Sequence, residues 1–61
     1  MKFVQIRVKT DDYVKLSELL TQMQVGHELI GNFGDMASAI ANPMTPEQQD
    51  VIIREVGAHC T

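Results

Sequence analysis

The first nine residues constrain the fold more than any other stretch of this chain. Val4, Ile6 and Val8 alternate with Gln5, Arg7 and Lys9, and Phe3 falls on the polar side. A period of two predicts a half-buried strand over residues 3–9. A strand cannot stand alone, because its backbone N–H and C=O groups need a ladder partner. The source of that partner is therefore the first question the sequence raises.

Sixty-one residues make one domain, 1–61, with a small core. A chain of this size buries only about 60% of its unfolded surface, so small domains often rely on disulfides, metals or oligomerisation. Cys60 is the single cysteine, which rules out an intrachain disulfide. The sequence has no apolar run of membrane-spanning length and no signal-peptide pattern, which predicts a cytoplasmic protein that contacts no membrane.

Charge is unevenly placed. Residues 1–10 hold Lys2, Arg7 and Lys9 and no acid, for +3, whereas residues 11–61 carry −6, giving −3 for the chain. A basic strand on an acidic body can engage a polyanion at one face while the body repels it elsewhere.

Two helices are well signalled. Asp11 and Asp12 suit a helix start, and Tyr13, Leu16, Leu20 and Met23 recur at helical spacing before Gly26, predicting a helix over 11–24. Thr45-Pro46-Glu47-Gln48 reads as a capping box with proline at the first position, and Gly57 as a stop, predicting a helix over 46–57. Between them, Leu29, Ile30, Phe33, Met36, Ala37 and Ile40 follow a helical period, which favours a helix over 27–41. Gly31 and Gly34 oppose it at about 1 kcal/mol each, and a hairpin turning at Asn32–Asp35 is the alternative. The expected fold is mainly α, an amino-terminal strand followed by three helices. The alternative is α+β, in the order β-α-β-β-α. The three-helix reading leaves the strand without a partner in its own chain. An intertwined homodimer, with the two strands forming an antiparallel ribbon, would supply it.

Val4-Gln5-Ile6-Arg7-Val8, the acidic start at Asp11-Asp12, Leu16-Ser17-Glu18-Leu19 and His27-Glu28-Leu29-Ile30 together resemble the ribbon-helix-helix family of DNA-binding proteins over residues 3–41. The resemblance implies a dimeric transcriptional regulator of the antitoxin or phage-repressor kind, with its ribbon in the major groove of double-stranded DNA. It implies that Gln5 and Arg7 face bases, that Lys9 faces bases or backbone, and that the amides near His27 hold a phosphate at a helix start.

The same residues have plainer readings. Arg7 and Lys9 also suit the solvated face of an edge strand, and Phe3 suits packing. Val4, Ile6, Val8, Leu16, Leu20, Leu29, Phe33, Ile52 and Val56 are the expected core. His59 and Cys60 read as a frayed end rather than as metal ligands, so no metal or cofactor is expected. Ser17, His27 and Asp35 form no nucleophile pattern, so the chain is expected not to be an enzyme. The rival to DNA binding is a small inhibitor or adaptor. It would bind a protein through the acidic helices or the exposed strand.

Overall fold

A computed structural model describes residues 2–61. The chain runs β1 (Val4–Lys9), a 3-10 turn (Thr10–Asp12), α1 (Tyr13–Gln22), β2 (His27–Phe33), β3 (Met36–Ala41), α2 (Pro46–Val56) and β4 (His59–Cys60). The four strands form one antiparallel sheet in the order β2-β3-β1-β4. Each helix connects two strands that have a third lying between them, the split β-α-β arrangement of ferredoxin-like topology. Among the described residues no helix is long and apolar enough to cross a membrane.

This α+β architecture replaces the expected strand and three helices. Residues 27–41 are a hairpin, not a helix, so the hairpin alternative holds, extended by β4. The physical cause is the demand of β1 for ladder partners. β3 meets it along one edge, pairing Val4 with Ala41 through Lys9 with Met36. Along the other, β4 pairs Ile6 with Cys60 and Arg7 with His59, and Gln5 exchanges backbone hydrogen bonds with Thr61 at 3.1 and 2.9 Å. The carboxy-terminal residues expected to fray are therefore the fourth strand. The intertwined ribbon is also overturned, because β1 is an inner strand with both edges occupied and no edge remains for a second copy of itself.

Three alanines of β3 serve the core beneath the helices. Ala37, Ala39 and Ala41 alternate along β3 with all three side chains buried beneath the helix layer. Small side chains let the helices approach the sheet closely, and Ile6, Val8, Leu16, Leu20 and Ile52 close over them, each 1% exposed or less. Gly34, at φ +66°, opens the two-residue loop between β2 and β3, a position where type II′ hairpin turns take glycine. Two expected core residues lie outside. Leu29 and Phe33 sit on the edge strand β2 and are 44% and 75% exposed.

The helix ends show one match and one difference. Thr45 accepts from the Gln48 amide at 3.1 Å and its own amide donates to Gln48 Oε1 at 3.0 Å, the reciprocal capping box. α1 ends earlier than expected, and not at Gly26. Val25 N–H donates to Leu20 C=O at 2.8 Å and Gln24 N–H to Thr21 C=O at 3.0 Å, the two bonds of a Schellman motif. Gln24 holds the left-handed position at φ 59°, where glycine is free of the Cβ clash. Gln24→Gly is expected to stabilise the protein by about 1 kcal/mol, read as a shift in the urea midpoint with unchanged slope.

Candidate binding face of the sheet

Both helices cover one face of the sheet, and the other face is open. Residues paired across strands project on the same face, so the register assigns the open face row by row. Phe33, Met36 and Lys9 form the first row, and Gly31, Ser38, Arg7 and His59 the second. Glu28, Ile40 and Gln5 form the third, beside Thr61. Alternation places Phe3 beyond them, on the same face as Gln5. A register shift between Leu29 and Gly31 brings Gly31 and Phe33 onto this face. Such a bulge flips the side-chain alternation of the strand that carries it.

Arg7 stands at the centre. A shallow hollow of about 310 Å³ between Arg7, Phe33, Met36 and Ser38 lies on one side of it. A second, of about 470 Å³, lies on the other, between Arg7, Gln5, Met36, His59 and Thr61. Phe33 and Phe3 are 75% and 57% exposed, two large rings that the helical core does not absorb. Among the described residues the one ion pair joins Arg54 to Asp50 on α2, at 3.2 Å. Arg7 and Lys9 are therefore exposed cations with no carboxylate partner.

The two layers of the molecule differ in charge. Arg7 and Lys9 on β1 and Lys2 just before it, against Glu28 on β2 and Asp35 in the hairpin turn, make the strand layer net positive. Asp11, Asp12, Glu18, Glu47, Asp50 and Glu55 against Lys15 and Arg54 make the 3-10 turn and helices net negative. The uneven charge along the sequence thus becomes a difference between opposite faces of the fold.

Of the four residues singled out from the sequence, Gln5, Arg7 and Lys9 share this open face. His27 does not. It opens β2 rather than a helix, so no helix start is available there to hold a phosphate. Paired with Ala41, it projects toward the helix layer, where its Nε2 lies 2.7 Å from Ser17 Oγ and its Nδ1 3.0 Å from the Val25 carbonyl. The carbonyl can only accept, so Nδ1 carries a proton. The Ser17 hydroxyl can donate to a bare Nε2 or accept from a protonated one, and the bond survives either state. This serine and histidine, far apart in sequence, have nucleophile–base contact geometry. Ser17 lies inside α1, however, where neighbouring amides are committed to helical hydrogen bonds and cannot form an oxyanion hole. The pair ties α1 to the start of β2.

Phe33, Met36, Ser38 and His59 belong to the open face and were not among the sequence candidates. The signal that could have found Met36 and Ser38 was the alternation Met36-Ala37-Ser38-Ala39-Ile40-Ala41, which reads as a strand once alanine is accepted as a core residue. Burial pushes the Cys60 thiol above its usual value. Among the described residues no three His, Cys, Asp or Glu side chains cluster to hold a metal. No family model, no curated protein and no solved structure matches the chain.

Proposed function

We propose that this chain is a small, non-enzymatic nucleic-acid-binding module of the cytoplasm whose contact surface is the open face of its sheet. The observation that carries this reading is the unpaired Arg7 at the centre of that face. Lys9 lies in the next row, and two exposed phenylalanines lie toward opposite ends. Guanidinium and ammonium groups neutralise phosphates, and released counterions drive the association. The acidic helices repel the same polymer, so binding is confined to one side of the molecule despite the net charge of −3. The reading keeps Gln5, Arg7 and Lys9 as contact residues and leaves His27 in a structural role. A ribbon inserted in the major groove is not part of it. Four strands at spacings of about 4.8 Å span roughly 14 Å between the outer strand axes, wider than a groove of about 12 Å.

Fluorescence anisotropy with labelled single-stranded and duplex oligonucleotides tests this reading. Two or three phosphate contacts predict that affinity falls roughly 7- to 20-fold for the single strand and roughly 12- to 40-fold for the duplex between about 50 and 200 mM salt. A well-folded protein that binds neither oligonucleotide at the lower salt would overturn the reading. Binding without salt dependence would remove Arg7 and Lys9 from it.

A further inference from the structure

We infer that the hollow between Arg7 and Phe33 is a nucleotide subsite for single-stranded nucleic acid, in which a base stacks on the Phe33 ring and a phosphate meets the Arg7 guanidinium. The inference rests on the nucleic-acid reading above and adds what kind of strand is bound, and how. Phe33 is the most exposed large apolar side chain described, and it stands on the open face rather than in the core. Its position is set by Gly31. A Cβ at residue 31 would meet Phe33 Cε2 at 3.0 Å and Cζ at 3.4 Å, so one edge of the ring lies over the glycine. In the neighbouring row, Gly31 and Ser38 separate Phe33 from Arg7 with the smallest side chains on the face. Together they leave the hollow of about 310 Å³.

The charge of the face calls for an anion, and the ring calls for a planar apolar group. A single-stranded nucleic acid offers both in every repeat. Stacking on an aromatic side chain is worth about 1–3 kcal/mol per base and is indifferent to sequence. A duplex offers phosphates only, because its base faces are stacked on one another. The subsite therefore selects single strands over duplexes and shows little base preference.

The experiment compares three probes, a labelled oligo-dT, a duplex of the same length and heparin, against four forms of the chain. Phe33→Ala is expected to lower oligo-dT affinity about 5- to 150-fold, and to leave duplex and heparin binding unchanged, since the Arg7 and Lys9 charges remain. Phe33→Tyr, which keeps the aromatic face, is expected to retain oligo-dT binding. The chain has no tryptophan, so Phe33→Trp places a lone reporter in the hollow. Its fluorescence is expected to be quenched by oligo-dT and not by heparin. Circular dichroism checks that each variant is folded, which the exposure of Phe33 favours. Unchanged oligo-dT binding by Phe33→Ala would overturn the subsite, as would an equal loss on all three probes. A wild-type chain that prefers duplex would overturn the subsite and leave the wider reading standing. A wild-type chain that binds neither oligonucleotide would overturn both.

Discussion

Ile6→Asp is expected to abolish folding at neutral pH. Ile6 is 0% exposed, at the middle of an inner strand, and packs in the cluster formed with Leu16, Leu20 and Ile52. A carboxylate there loses its water and gains no counter-ion, since no basic side chain is part of that cluster. Lost burial of the isoleucine adds about 3 kcal/mol. A domain of this length has a total stability of roughly 3–9 kcal/mol, less than the two costs combined. Far-ultraviolet circular dichroism and one-dimensional proton NMR would report the loss of the fold. The neighbouring Arg7→Asp, on the open face, serves as the control and should remain folded. A folded Ile6→Asp with an unfolded Arg7→Asp would show the strand facing the other way.

The second large effect is expected in binding. Arg7→Glu should reduce affinity for nucleic acid by at least about 100-fold, because a charge-assisted hydrogen bond of about 1.5–3 kcal/mol is lost and a repulsive charge takes its place. The change should leave stability nearly untouched, since the side chain is exposed and makes no ion pair among the described residues. The deficit should shrink as salt rises, because exposed charges are screened over about 10 Å at 0.1 M. Lys15→Glu, on the helix layer, changes the net charge by the same amount and should change affinity little. Equal losses from both substitutions would mean that net charge alone governs binding and that the open face has no special role.

How much of this could be read from the residues depends on the range of the forces that set each element. β1 is written in its own alternation, and α2 in a capping box four residues long followed by an apolar stripe. Those signals act between near neighbours, and the structure keeps them within a residue or two. Three candidate contact residues were legible for the same reason, because alternation alone puts Gln5, Arg7 and Lys9 on one side of β1. His27 was not, since its partner Ser17 is ten residues away and meets it only when β2 returns past α1. Phe33 was misplaced in the core because its period matched a helix face. On an edge strand with a bulge beside it, the same residue points to the open side.

By itself, then, the sequence determined the strand, the two helices, the capping box of the second, the acidic body and the basic strand face, all through contacts within a few residues. It also determined that β1 needed hydrogen-bonding partners, without saying which residues would supply them. Only the tertiary structure decided that. Residues 27–41 could satisfy a helical period at the cost of two glycines, or pair with β1 and place three alanines beneath the helices. Local preference for the two is closely balanced. Six residues of β1 backbone awaiting a ladder, and a core that closes only over small side chains, weigh the outcome toward the hairpin. The same choice moved the terminal His59–Cys60 into the sheet and closed both edges of β1. It also left a four-stranded face uncovered, and that face is where the function is proposed to reside.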